Sequence, residues 1–303
     1  FVWLLPAFVG PPAAAGLVLI SWRWVFAVMI PFLLVAAALV WRPMRRVQAG
    51  FVPGEQRAPV QWWAISAVAL APGFIQLAGQ GLGIWSVVAG VVGVVGLVLG
   101  LRRVMPKAIH LVGRGLGAVV SSRALQAGVF FAAEAFLLLV LRNLRGLEPL
   151  EAGLVLTIGS TGWTAGAWLQ SRPWTRLRRD QLISVGTALV IAGLVTIVAF
   201  VLWHLPVAVA LSGWVLAGLG MGVQLPSTAV AVMDLSGAHE QGANNSALQV
   251  AEGLGNALLT GIAGAIYAFV LRVGTLELSF QVLFVVLLLV AVLALWETRR
   301  IEP

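Results

Sequence analysis

NNSALQVAEGLGNALLTG, residues 244–261, reads in two ways at once. Its leucines, alanines and glycines suit the inside of a membrane. Asn245, Gln249, Glu252 and Asn256 do not suit lipid. These four are spaced by 4, 3 and 4 residues. On a helix turning about 100° per residue they fall within roughly 60° of one another. Thr260 continues the stripe, while Leu254 and Leu258 lie opposite and Leu248 borders it. The segment therefore reads as a membrane helix with one polar face about three turns long. Glu252 sits about ten residues in from one end, roughly 15 Å deep at 1.5 Å per residue. An ionised glutamate facing lipid there costs several kcal/mol, so Glu252 must face a cavity or a partner, or carry a proton.

The rest of the chain has the same apolar character. Of 303 residues, 60% are hydrophobic and only 10% are charged. A soluble domain carries roughly 25% charged residues. Runs of about 20 apolar residues recur, long enough to cross a hydrocarbon core of about 30 Å. The runs do not alternate, which excludes a transmembrane β-barrel. The expected class is an all-α polytopic membrane protein. About ten spans are read: 1–20, 23–42, 60–79, 82–101, 121–141, 150–171, 181–203, 207–233, 243–270 and 277–297.

The net charge is +8, and its distribution argues for membrane topology, with no nucleic acid as partner. Arg23, Arg142, Arg145 and Arg272 fall in one set of alternate loops, and the remaining Lys and Arg of the nineteen fall in the other. By the positive-inside rule the arginine-rich loops and the C-terminus are expected in the cytoplasm, with the protein multi-pass in the cell membrane. Two basic linkers stand out, RPMRRVQAGFVPGEQRAP (42–59) and RRVMPKAIHLVGRGLGAVVSSR (102–123). The second reads as a helix on the membrane surface. With Arg123 placed in that loop, no Arg or Lys lies deep in a span, so the submerged acids are expected to lack a cationic partner within the chain.

PAFVGPPAAAG (6–16) packs prolines and small residues into one span, and SWRWVFAVMIP (21–31) follows it. Proline kinks a helix and small residues let a neighbour approach closely. Together the two stretches resemble the fifth and sixth helices of major facilitator superfamily transporters, in particular the fourteen-helix drug:proton antiporters. Gly10 and Pro11 match the fifth-helix motif G-x-x-x-G-P-x-x-G-G. Pro6 replaces its first glycine, and Ala14 and Ala15 stand for its last pair. Gly16, Trp22, Arg23 and Trp24 complete the structural stretch carried over from the resemblance. Residues 218–264 are similar to the family's tenth and eleventh helices. AGAWLQSRPWTRLRR (165–179) stands where a cytoplasmic loop motif is expected; Gly166 and Arg172 fit it, while Gln170 and Ser171 occupy the acidic place.

The resemblance implies an organisation. Residues 1–42 would be the last two helices of an N-terminal six-helix bundle, and 43–59 a cytoplasmic linker. Residues 60–101 would be an inserted helix pair, 102–122 a second linker, and 123–303 the C-terminal six-helix bundle. Phe1 lies within an apolar run with no start Met, so four further helices are expected upstream, and residues 1–303 alone are not expected to transport. A weak internal echo, LVAAALVW (34–41) against LVAVLALW (289–296), fits two repeated halves.

The implied activity is proton-coupled export of hydrophobic or cationic small molecules by alternating access. The proton-coupling candidates are Glu252 and Glu134, the second in FFAAEAFLLLVL. Asn245, Gln249, Asn256, Gln224 and Trp163 are candidates to line the substrate cavity. A carrier for an endogenous metabolite or lipid is the alternative, and a non-transporting scaffold a remoter one. No cofactor is implied. The chain has no cysteine and no phosphate-binding loop or paired zinc histidines. An enzyme is therefore not expected.

Overall fold

The computed structural model describes residues 9–10, 13–14, 16–18, 20–49, 61–80, 83–106, 109–110, 113–172 and 177–301. Among the described residues there are helices and turns and no strand. The helices with described ends are α1 (Trp22–Ala27), α2 (Met29–Ala49), α3 (Trp62–Gln80), α4 (Ile84–Val104), α5 (Leu116–Asn143), α6 (Pro149–Gln170), α7 (Arg179–Leu202), α8 (Val207–Asp234), α9 (Gln241–Val273) and α10 (Leu276–Thr298). Eight helices are long and apolar enough to cross a membrane, with α1 and α2 counted as one. The chain is thus a polytopic helical membrane protein.

Two spans of the sequence reading fall outside those eight. The first, 1–20, is only partly described, and its described residues are helical. The other is α6, whose 22 residues reach roughly 33 Å. Thr157, Ser160, Thr161 and Thr164 make it less apolar. Each of these hydroxyls donates to a carbonyl of its own helix, at 3.0, 3.3, 2.6 and 3.2 Å respectively. Their polarity is satisfied within the helix, so α6 packs with apolar neighbours at little cost.

The chain divides into two compact units, 2–60 and 61–303. In the first, α1 and α2 form one span with a single irregular turn at Val28. Pro31 lacks the amide that would bond the Ala27 carbonyl, which accounts for a break there. Helix α2 runs on through Pro43 to Ala49, past the start of the linker expected at 43.

In the second unit, α8 is wedged between α6 and α7. Glycines make this possible. A methyl group at Gly162 or Gly166 of α6 would overlap the carbonyls of Val215 or Leu219, and one at Gly193 of α7 would overlap that of Gly213. In lipid there is no hydrophobic drive to hold helices together, and such close backbone approach supplies dispersion contacts instead. Helix α5 packs along α9 and α10, and α10 also packs on α7. Phe130, Leu137, Phe200, Trp214, Phe280 and Phe284 fill the core between them. The α3–α4 hairpin lies against α9, where the Gln76 amide donates to the Ala257 carbonyl at 3.2 Å.

The second linker departs from its expected form. Helix α5 begins at Leu116, and the described residues between α4 and α5 form turns and no surface helix. The Gly115 amide donates to the Arg300 carbonyl at 2.9 Å, tying the start of α5 to the end of α10. Arg123, placed in the loop by sequence, therefore lies inside α5.

Candidate functional site

Arg123 stands seven residues beyond the start of α5, roughly 10 Å along its axis. Its side chain is only 4% exposed. A guanidinium keeps its charge in proteins and carries five donors, so burial demands acceptors. Three helices supply them. Nη2 and Nε donate to Oε2 of Glu252 on α9 at 2.7 and 3.1 Å. Nη1 donates to the Leu225 carbonyl at 2.6 Å and to Thr228 Oγ1 at 2.5 Å, both on α8. The Thr228 hydroxyl is itself committed to the Leu225 carbonyl at 2.8 Å, leaving its oxygen free to accept. The pair is thus a clasp joining α5, α8 and α9.

Glycines again set the distance. A methyl group at Gly255 would overlap the Ala124 carbonyl, and one at Gly128 would overlap the Gly255 carbonyl. The α5–α9 contact is therefore close enough for a guanidinium to reach a carboxylate one turn away. The expectation that Glu252 lacks a cationic partner is overturned. Glu252 remains 19% exposed at its side chain, so the carboxylate is less enclosed than the guanidinium.

The rest of the stripe grades in exposure. Gln249 is exposed; Asn245, Asn256 and Thr260 are half-buried. The Thr260 hydroxyl donates to Asn256 Oδ1 at 3.2 Å. Asn244, off the stripe, is buried, and its amide donates to Ser236 Oγ at 2.9 Å. Gln224 is fully enclosed on α8, and a methyl at Gly186 of α7 would stand 2.7 Å from its Cβ.

Glu134 lies further along α5, nine residues short of its far end. It is half-buried and, among the described residues, has no hydrogen-bond or ion-pair partner. Phe130 and Phe131 lie one turn before it. Trp163, half-buried on α6, meets Phe130 edge-on at 5.4 Å and Phe131 at 6.4 Å with a 44° tilt. Phe130 also stacks on Trp214 at 4.5 Å. Trp163 thus belongs to an aromatic cluster that reaches the core, with one side open.

Of the motif residues at the other end of the chain, Pro6, Pro11 and Ala15 lie outside the described residues. Among the described residues, none has an atom within 4 Å of a would-be Cβ at Gly10 or Gly16. Ala14 is half-buried, and Trp22 and Trp24 are exposed. The Arg23 guanidinium sits over the Trp22 ring at 5.6 Å. In the later loop motif, Gly166 serves the α6–α8 contact, and Arg172 stacks over Trp168 at 4.3 Å. Among the described residues no cluster of three His, Asp or Glu could hold a metal ion.

Sequence reading missed Arg123 as a site residue. The signal was present: residues 116–122 contain only small, apolar and hydroxyl side chains, compatible with two more helical turns before the arginine.

The family model of the Major Facilitator Superfamily matches residues 1–260. No curated protein matches the chain. Among solved structures, it is similar to a bacterial homolog of the human lysosomal transporter Spinster, in an inward-facing and unoccupied conformation. The identity is 16% and the TM-score 0.48, over 80% of this chain and 66% of that one.

Proposed function

The chain belongs to the major facilitator superfamily, a family of transporters, and from that premise we propose a proton-coupled carrier that exports hydrophobic or cationic small molecules by alternating access. The observation that carries this reading is the Arg123–Glu252 clasp, with its partly open carboxylate. While Glu252 is ionised, the guanidinium binds α9 to α5 and α8. A proton on Glu252 removes the opposite charge and leaves Arg123 with the Leu225 carbonyl and Thr228 hydroxyl of α8. Helix α9 is then free to shift against the other two. Such a shift of packed helices is the kind of step that rocking between two access states requires.

In this reading the arginine-rich end of the bundle faces the cytoplasm of the cell, as does the C-terminus. Glu252 lies roughly 16 Å from the start of α9 at that end, within reach of a proton arriving through a hydrated cavity. Asn245, Gln249 and Asn256 flank that route. Glu134, in the opposite half of α5 beside Phe131 and Trp163, is the second protonation candidate. Trp163 offers an aromatic face to a lipophilic cation. Residues 1–42 would close the other bundle, with 60–101 as the inserted pair.

Dye export in everted vesicles carrying the protein tests the assignment. A Glu252→Gln, Glu134→Gln double variant is expected to lose export driven by the proton gradient. Wild-type export by that variant, still dependent on the gradient, would overturn the coupling role.

A further inference from the structure

The clasp is one layer of a deeper polar seam. Helices α5 and α8 run antiparallel, being separated by three reversals of the chain. One turn further into the bundle from Arg123 is Gln126, and one turn further in from Thr228 is Gln224. Both glutamines are buried, at 2% and 0% exposure. They meet the same turn of α7: the Gln126 amide nitrogen donates to Thr187 Oγ1, and Gln224 packs on Gly186. Thr187 gives its own hydrogen to the Ile183 carbonyl at 2.7 Å, so it acts only as an acceptor toward Gln126. Three buried atoms then have no partner among the described residues: Gln126 Oε1, Gln224 Oε1 and Gln224 Nε2.

Two buried glutamines on facing helices with orphan atoms on both are not a packing solution. A buried amide left unpaired loses its hydration without return. We propose that the Gln126–Thr187–Gln224 layer is an internal water site. The orphan set is two acceptors and one donor group. Water can give its two hydrogens to carbonyl oxygens and accept from the amide. A metal cation fits the two oxygens but not the amide hydrogens, and it would stand one turn from the Arg123 guanidinium. An anion fits the amide but not the two oxygens.

The position suggests the site's use. When Glu252 takes a proton, Arg123 loses its anionic partner while remaining enclosed on α5. Water held one turn away supplies a mobile acceptor for its freed N–H groups. This role rests on the carrier reading above; the site itself does not.

A map of the full-length protein at about 2 Å tests the site. Density is expected within hydrogen-bond distance, about 2.7–3.2 Å, of Gln126 Oε1 and of an amide atom of Gln224. The two amides bonded directly to each other, or an apolar void between them, would overturn it. The role is read from Gln126→Leu in vesicles, since Gln126 is in the layer and is not among the candidates for the substrate cavity. Gradient-driven export is expected to fall about tenfold, while substrate counterflow without a gradient stays near wild type. Unchanged gradient-driven export would overturn the role and leave the site standing. Wild-type protein lacking any gradient-driven export would instead overturn the carrier reading, with no bearing on the density.

Discussion

Helix α5 holds two ionisable side chains in opposite circumstances. Near one end, Arg123 is enclosed and meets acceptors from α8 and α9, with Glu252 as its counter-charge. Toward the other end, Glu134 is half-buried beside two phenylalanines and has no partner among the described residues. The same helix therefore solves the problem of a submerged charge in two ways. At Arg123 the charge is permanent, so the fold must supply the partners. At Glu134 the charge is optional, because a carboxyl group can take a proton. The first arrangement fixes three helices to one another; the second leaves a titratable group with no partner among the described residues.

The comparison predicts a graded series in thermal unfolding of the full-length protein in detergent. Glu252→Leu is expected to cost most, about 3–5 kcal/mol, because it strands a guanidinium that cannot shed its charge. Arg123→Leu should cost less, about 2–3 kcal/mol, since the abandoned carboxylate is partly exposed and can be protonated. A reversed order would show that the arginine has acceptors beyond those described. Thr228→Val removes one charge-assisted bond and should cost about 1–2 kcal/mol. Glu134→Gln should move stability by less than about 0.5 kcal/mol. A loss as large as that of Arg123→Leu would mean that Glu134 has a structural partner after all, and the contrast would fail. In labelling of single cysteines placed in this Cys-free chain, position 249 should react fastest, with 245 and 256 slower. Uniform inaccessibility of the three would contradict an open stripe.

Much of this was legible in the sequence, and the gaps have identifiable causes. Long charge-poor runs gave the membrane spans directly, since the bilayer sets their length. The polar face of α9 followed from spacing alone. The start of α5 was placed too late because Arg123, met after Ser121 and Ser122, looks like the end of a loop. That single boundary hid the clasp, for an arginine outside the membrane needs no partner. Gln126 and Gln224 could not be connected because sequence does not say which faces of α5, α7 and α8 meet. Glycines such as Gly162, Gly166 and Gly193 are visible as composition, but their role appears only with the carbonyls they rest against. By contrast, Gly10 and Gly16, singled out by the motif, meet no atom of the described residues within 4 Å at a would-be Cβ.

The most direct measurement is a double-mutant cycle between positions 123 and 252. Glu252→Leu and Arg123→Leu are made singly and together in the full-length protein, and unfolding free energies are compared. Because replacing both partners removes both stranded charges, the double variant should cost at least about 2 kcal/mol less than the sum of the singles. Costs that simply add would mean that these two side chains do not hold each other, and the clasp on which the proposed coupling depends would be refuted.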